Sequence, residues 1–390
     1  MKWKLFSLKK AFKYLLFGFL LVNLLIFFNN QTWIYKAINI TYLKGYASSY
    51  INDFVYFPSD TIKAGKHQKW LISKNYNVAK SPEFINSLNK SLETVAFMII
   101  KNDSIQHEKY WSGYSADSMS NSFSMSKSWV STLIGVAIKE GDIESVDQKV
   151  CDFLPEFCVG KNSTITIKNL LTMSSGLNWE EDYYNPIGQT AQAYYGNNLR
   201  ELTLNLNAIE DAGKVFKYHS SCTQILTFLL EKATTRTISE YASEKLWKKL
   251  GAKHSALWSK DSKGGDEKGF CCINSNARDF ARLARLYMSC GNWNGIQILD
   301  SSYVKNATSS ANLLDINGKQ NKKYGYQFWI EKYNNMHVYY ARGFRGQYMI
   351  CIPEKDMIII RLGRNEGELL GSGHFDSFYA FIDAAIEMYP

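Results

Sequence analysis

Apolar strand patterns lie at both ends of this chain, and helical patterns occupy its middle. Thr94 to Ile100 reads TVAFMII, a continuous apolar run whose length predicts a buried strand. A turn at residues 101–104 follows, and the alternation over residues 105–111 predicts that the chain pairs back as a hairpin. The far end predicts three further strands and then an amphipathic helix, at residues 337–340, 347–352, 357–362 and 376–388.

The middle of the chain, from about residue 125 to residue 250, predicts mainly helices, at residues 127–140, 167–173, 223–233 and 239–250. Strands at both ends with helices between them indicate an α/β fold. In this fold an antiparallel sheet is built from both chain ends and flanked by helices, and a mainly helical domain is inserted. The cleft between sheet and helical domain is where we expect a binding site.

The same patterns predict the organisation of the chain. We expect a basic cytoplasmic tail at residues 1–13, a transmembrane anchor at residues 14–35 and an irregular lead-in at residues 36–90. An α/β domain should follow in two pieces, at residues 91–124 and 251–390, with a mainly helical domain between them at residues 125–250.

The N-terminus carries five lysines before an apolar run of 15 residues, Tyr14 to Phe28. This run is shorter than the ~20 residues of a full span, but Lys13 can snorkel, and Trp33 and Tyr35 can lie at the far interface. Asn29 follows the run where a signal peptidase site would need small residues, which favours an uncleaved anchor over a signal peptide. Because basic residues stay in the cytoplasm, the catalytic domain is expected to be periplasmic or extracellular. A buried core helix is a further alternative.

The charge and cysteine content narrow the possible functions. The net charge is +9, and the five N-terminal lysines leave only +4 for the rest, so nucleic-acid binding is not indicated. The seven cysteines include no CxxC pair, and the six histidines lack zinc-ligand spacing, so no metal is expected. Cys151 and Cys158 can bridge a short loop in an exported protein, or can be two separate buried thiols.

The strongest chemical signal is Ser124-x-x-Lys127 at the entry to an apolar helix. Residues three apart share a helix face, so the amine of Lys127 can reach the hydroxyl of Ser124. A serine becomes a good nucleophile when a neighbouring base takes its proton, and burial lowers the pKa of a lysine enough for that role. The helix N-terminus also gives the serine N–H a favourable direction for holding an oxyanion. A capping serine followed by a surface lysine is the alternative.

Two further segments add to this signal. Tyr218-His219-Ser220 precedes a helix, so it can aim a phenol and a hydroxyl into a cleft. A tyrosine flanked by ammonium groups can titrate low enough to pass protons, although a core tyrosine has the same pattern. Near the C-terminus, Gly343 lies beside a predicted strand, where a glycine lets a ligand or another backbone come close.

In this order, the three segments resemble the SxxK, Tyr-x-Asn/Ser and Lys-Thr-Gly-like motifs of the class C β-lactamase and penicillin-binding family of serine hydrolases. The resemblance covers about residues 90–390 and includes Ile167 to Leu177 and Gly269 to Leu283. The loop Glu180-Glu-Asp-Tyr183 is similar to the branch of 6-aminohexanoate-dimer hydrolases and esterases. The resemblance to this family implies a β-lactamase/transpeptidase-like fold.

The resemblance implies a role for each matching residue. Ser124 would be the nucleophile, Lys127 and Tyr218 the proton-handling pair, and Ser220 a supporting hydrogen-bond partner. The backbone N–H groups of Ser124 and Phe344 would form the oxyanion hole. Residues expected to contact the substrate are Tyr183, Ser220 and Gly343.

The chain departs from the family pattern where Lys-Thr-Gly aligns with Ala341-Arg342-Gly343. That lysine helps to hold the carboxylate of β-lactams, so its absence argues against β-lactamase activity. Arg342 and Arg345 can clamp an acidic substrate or can pair with surface acids. His219 is expected to be incidental.

The sequence therefore predicts a cofactor-independent serine hydrolase that cleaves a small ester or amide through an acyl-enzyme on Ser124. A D-amino-acid peptidase or weak β-lactamase is the first alternative. The second is a binding or sensor protein that uses the same cleft without turnover. No Gly-x-Ser-x-Gly elbow is present, which argues against a Ser-His-Asp hydrolase. The sequence does not predict the oligomeric state.

Overall fold

The computed structural model describes residues 2–390. Its fifteen strands are β1 Ser59–Ile62, β2 Leu71–Ile72, β3 Thr94–Lys101, β4 Ser104–Tyr110, β5 Ser120–Asn121, β6 Ala256–Ser259, β7 Ile273–Ser275, β8 Asn292–Trp293, β9 Ile296–Gln297, β10 Leu313–Leu314, β11 Gln320–Asn321, β12 Trp329–Tyr333, β13 Met336–Gly343, β14 Gln347–Ile352 and β15 Met357–Gly363. Its twelve α-helices are α1 Lys2–Phe28, α2 Trp33–Ile40, α3 Glu83–Ser91, α4 Ser126–Glu140, α5 Ile167–Leu171, α6 Gln189–Tyr195, α7 Leu199–Leu204, α8 Ser220–Thr234, α9 Ile238–Ala242, α10 Ala277–Met288, α11 Ser301–Ala307 and α12 Asp376–Met388.

The main sheet has seven strands in the order β12-β13-β14-β15-β3-β4-β2. The C-terminal strand β15 pairs antiparallel with β3, so the sheet is built from both chain ends as the sequence predicts. Only the edge strand β2 pairs parallel, with β4. Because β3 lies inside the sheet with both faces covered, residues 94–100 are all buried, which explains their continuous apolar run.

The hairpin between β3 and β4 shows why the chain turns there. Asn102 and Asp103 both have positive φ, of 49° and 57°. Positive φ at both central residues is typical of the two-residue turns that match the twist of paired strands, and Asn and Asp tolerate it well.

A second, four-stranded antiparallel sheet has the order β1-β6-β7-β5. Residues 36–90, which the sequence pattern describes as irregular, contribute β1 to this sheet, β2 to the main sheet and most of α2 and of α3. These elements are short and depend on tertiary pairing, such as that of Ser59 with Ser259, so local patterning does not reveal them.

The residues between the two parts of the sheet are mainly helical, and α4 and α8 pack together there. Helix α4 ends at Glu140, and the next residue, Gly141, has a φ of 86°, the left-handed conformation that closes many helices. The helix predicted at residues 239–250 is instead α9 followed by a π-helical turn, Ser243–Trp247. Cys151 and Cys158 form a disulfide, one of the two alternatives that the sequence leaves open.

Helix α1 contains one segment, Leu8–Phe28, that is long and apolar enough to cross a membrane by length and composition. None of this segment is buried against the rest of the chain, and its mean hydropathy is 2.1. The helix ends at Phe28, whereas the predicted anchor extends to residue 35. Trp33 lies in the separate helix α2 and is only 5% exposed, so it packs into the domain and is not an interfacial residue.

Candidate active site

Ser124 lies in a short 3₁₀ turn, Phe123–Met125, between β5 and α4. The side chain of Asn121 holds this turn, since its Oδ1 accepts a hydrogen bond from the N–H of Phe123 at 2.9 Å. Phe123 itself has a φ of 44°, a conformation that costs energy in a residue with a bulky side chain. The turn therefore presents Ser124 at the start of α4 in a fixed position.

Lys127 lies on the first turn of α4, and its side chain is buried beneath Ser124, with the residue only 1% exposed. Its Nζ is 3.0 Å from Oγ of Ser124 and 3.1 Å from Oγ of Ser220, and it donates to the carbonyl of Phe270 at 2.6 Å. Burial lowers the pKa of Lys127 to about 8, against the opposing effect of the Glu181 carboxylate. Only a minor fraction of this amine is therefore neutral near pH 7, and that fraction becomes the majority as the pH rises above about 8.

Tyr218 approaches the same serine from the segment before α8. Its ring stacks on Trp329 at 5.4 Å between centroids, and Nζ of Lys127 lies 5.3 Å from its centroid. Burial raises the pKa of Tyr218 above its usual value, and a hydrogen bond with Ser124 opposes this rise only in part. The expectation that neighbouring ammonium groups lower this pKa is wrong, because desolvation is the larger effect. The phenol is thus a neutral proton donor at rest.

Glu181 joins this cluster, although the sequence does not single it out from its acidic loop. Its carboxylate accepts hydrogen bonds from the N–H of Ser220 at 2.6 Å and from the hydroxyl of Ser220 at 2.7 Å. Trp179 Nε1 and the Tyr183 hydroxyl donate to the same carboxylate, at 2.7 and 2.6 Å. In the sequence, the family resemblance of the loop that carries Tyr183 points to this region, but no spacing rule distinguishes Glu181 from Glu180.

The end of β13 lies against the backbone that precedes Ser124. A Cβ at Gly343 would lie 2.1 Å from the carbonyl oxygen of Ser122, so only glycine allows this approach. The next residue, Phe344, packs its ring edge-to-face on Phe123 and stacks it on Tyr183. The structure thus brings the predicted Gly343 and Phe344 beside the serine turn.

A cavity of about 310 Å³ opens over Ser124. Most of its lining is aromatic or small, and it includes Phe123, Ser124, Tyr183, Tyr194, Ser220, Phe270, Cys271 and Phe344. Cys271 forms a disulfide with the adjacent Cys272. The cavity therefore contains four of the predicted site residues.

The remaining candidates lie outside the cavity lining. Arg342 packs over the ring of Trp329 at 4.0 Å and donates to the carbonyl of Gly373. Arg345 donates to the carbonyl of Ser49. His219 is buried, and its backbone N–H donates to the sulfur of Met173 at 3.4 Å. Both arginines therefore hold backbone carbonyls.

The fold and this cluster together define a hydrolase of the class C β-lactamase and penicillin-binding type. The sequence profile of the Beta-lactamase family matches residues 82–368, so the chain belongs to the β-lactamase family.

Known proteins with similar sequences and folds include hydrolases. The chain is 26% identical over 287 residues to the 6-aminohexanoate-dimer hydrolase of Paenarthrobacter ureafaciens, covering 69% of this chain and 72% of that protein. A Bacillus anthracis protein provisionally named a 6-aminohexanoate-dimer hydrolase has a similar fold, with a TM-score of 0.75 and 19% identity over 87% of this chain and 92% of its own. A family VIII carboxylesterase has a TM-score of 0.63 at 14% identity, covering 82% of this chain and 99% of its own.

Proposed function

We propose that this protein hydrolyses an ester or amide through an acyl-enzyme on Ser124. The observation that carries the proposal is the buried amine of Lys127, 3.0 Å from the Ser124 hydroxyl, with a pKa lowered to about 8. A buried lysine with a lowered pKa is a suitable general base for a serine nucleophile.

In the proposed reaction, the hydroxyl oxygen of Ser124 attacks the substrate carbonyl while Lys127 takes the hydroxyl proton. The neutral phenol of Tyr218 donates a proton to the leaving group and is reprotonated from Lys127. The backbone N–H groups of Ser124 and Phe344 stabilise the oxyanion. A water molecule then attacks the acyl-enzyme by the same route in reverse, which releases the acid and restores Ser124.

The proposed substrate is uncharged near the scissile bond. Arg342 occupies the place of the family lysine, but its guanidinium is held over Trp329 and bonded to a backbone carbonyl. Tyr183 and Ser220 line the cavity and Gly343 lies against the backbone of Ser122, so they are the proposed contacts of the substrate. The similar sequence named a 6-aminohexanoate-dimer hydrolase and the similar fold named a family VIII carboxylesterase support the proposal of amide or ester hydrolysis.

Turnover of four substrate classes tests this proposal: a short-chain ester, a linear aliphatic amide, a D-Ala-D-Ala peptide and a chromogenic cephalosporin. We expect the wild type to hydrolyse the ester or the amide and Ser124→Ala to hydrolyse neither. Hydrolysis confined to the peptide or the cephalosporin would favour the peptidase or β-lactamase alternative. A folded protein without turnover would favour a binding protein.

We further propose that α1 anchors the protein in a membrane, with the catalytic domain outside the cytoplasm. The supporting observation is the unburied apolar segment Leu8–Phe28. Two lysines precede this segment and three lie in its first turns, and basic residues favour the cytoplasmic side of a membrane. Fractionation with protease protection of spheroplasts tests this orientation. Proteolysis of the domain from outside is expected, whereas a soluble product that begins after Phe28 would indicate a cleaved signal peptide.

A further inference from the structure

The wall of the cavity over Ser124 includes residues that directly follow the apolar helix α1. Ala37, from α2, and Thr41 and Tyr42, just after it, line the same cavity as the proposed nucleophile. Helix α2 packs against α6, which also lines the cavity through Thr190, Ala191, Tyr194 and Tyr195. The segment nearest the proposed anchor is therefore a structural part of the proposed active site.

The chain between α1 and α2 is too short to separate the cavity from the membrane by much. Phe28 ends α1 and Trp33 begins α2, so these ends can be at most ~18 Å apart even if the link were fully extended. The link is in fact folded, since the N–H of Gln31 donates to the carbonyl of Ile26 at 2.9 Å. The hydroxyl of Tyr35 also donates to the side chain of Asn23, which ties α2 to α1.

Large apolar side chains are exposed beside the cavity. We call them the rim, and they are Tyr42, Leu43, Tyr184 and Ile187, which are 58%, 71%, 91% and 64% exposed. Tyr42 and Tyr184 line the cavity itself. Tyrosine at a membrane surface can place its ring among the lipid chains and its hydroxyl in water, so this composition is typical of a membrane contact.

The size and charge of the cavity limit what enters it. Its volume of about 310 Å³ is near the lower end of the ~300–1,000 Å³ usual for small-molecule sites, so only part of a large amphiphile would fit. Among the described residues, Asp182 is the one charged residue that lines the cavity, and its carboxylate accepts N–H bonds from Tyr184 and Asn185 in its own loop. The lining thus favours an uncharged aliphatic group.

We propose that the natural substrate is a membrane-resident ester with a long aliphatic chain, taken laterally from the leaflet next to the rim. This inference rests on the proposed esterase function and anchor. The part of the ester around its carbonyl enters the cavity, and the rest stays in the bilayer. Oγ of Ser124 bonds to the carbonyl carbon, the ester C–O bond breaks, and the alcohol leaves with a proton. Water then releases the fatty acid and restores Ser124.

The test uses the full-length protein reconstituted in phosphatidylcholine vesicles, with 4-methylumbelliferyl palmitate placed either in the same vesicles or in separate ones. We expect an initial rate at least about tenfold higher in the same vesicles, because sharing one bilayer raises the effective concentration. The water-soluble 4-methylumbelliferyl butyrate should be hydrolysed equally in both arrangements. Butyrate turnover without this palmitate difference would overturn the inference and leave the esterase function standing. Turnover of neither ester by the folded protein would overturn both.

A rim variant adds a second test in the same vesicles. Tyr42→Ser/Leu43→Ser should lower the ratio of the palmitate rate to the butyrate rate roughly 5–10-fold, because it removes exposed apolar area at the membrane contact. Val159→Ser is the matched control, since Val159 is 62% exposed but lies outside the rim. An unchanged ratio in the rim variant, or an equal loss in both variants, would overturn the inference.

Discussion

Glu181 accepts two hydrogen bonds from Ser220, one from its backbone N–H at 2.6 Å and one from its hydroxyl at 2.7 Å. Because the same hydroxyl lies 3.1 Å from Nζ of Lys127, Glu181 is linked to the proposed base through one side chain. Its negative charge raises the pKa of Lys127, whereas burial lowers it. Burial and the Glu181 carboxylate therefore have opposing effects on the pKa of this one amine.

Glu181→Gln should shift the rising limb of the pH profile of kcat/KM to lower pH. Removing the carboxylate charge leaves burial less opposed, so the pKa of Lys127 falls and its neutral form persists in more acidic solution. Glu180→Gln is the matched control, because it changes the same charge on an exposed neighbour. A shift to higher pH, or equal shifts in both variants, would show that Glu181 does not act on Lys127 in this way.

Lys127 as the base predicts that wild-type kcat/KM rises with pH and levels off above pH 8. Only the neutral amine can accept a proton, and the pKa lowered to about 8 means that the ammonium form dominates below that pH. The Lys127→Arg variant should be inactive, because a guanidinium stays protonated throughout this pH range and cannot act as the base. A profile that is flat from pH 6 to pH 9 would contradict the assignment.

Tyr218→Phe should reduce kcat and kcat/KM together, by ~10²–10⁴-fold, since it removes a proton donor but keeps the ring. The stacking on Trp329 should survive, so stability should change little. The loss should be larger for an amide than for a matched nitrophenyl ester, because an amine leaving group needs a proton. Kinetics on both substrates decide the role, and a rise in KM alone would make Tyr218 a binding residue.

The sequence predicts those parts of the structure that depend on local patterns. The apolar run of β3, the spacing of Ser124 and Lys127, and helix α12 are all visible in the chain alone. Glu181 is not, because its importance comes from Ser220, which is 39 residues away in sequence. The raised pKa of Tyr218 is likewise a consequence of burial among residues distant in sequence. The contribution of α2 to the cavity wall also requires the tertiary fold.

The disulfide between Cys151 and Cys158 should stabilise the helical part of the chain. It closes a short loop, so replacing both cysteines with serine should lower the free energy of unfolding by roughly 2 kcal/mol. Cys290→Ser is the control, because Cys290 is exposed and unpaired among the described cysteines. Thermal unfolding under non-reducing conditions measures the difference. Equal melting temperatures for the double serine variant and the wild type would contradict this expectation.

Covalent labelling with a fluorophosphonate probe, followed by mass spectrometry of peptides, tests the account most directly. Lys127 lies 3.0 Å from the Ser124 hydroxyl, so we expect one probe adduct per chain, on Ser124. Ser124→Ala should fold, remain unlabelled and lose turnover by at least ~10³-fold. An adduct on Ser126 or another residue, or Ser124→Ala protein that still labels and turns over substrate, would contradict the assignment of Ser124 as the nucleophile.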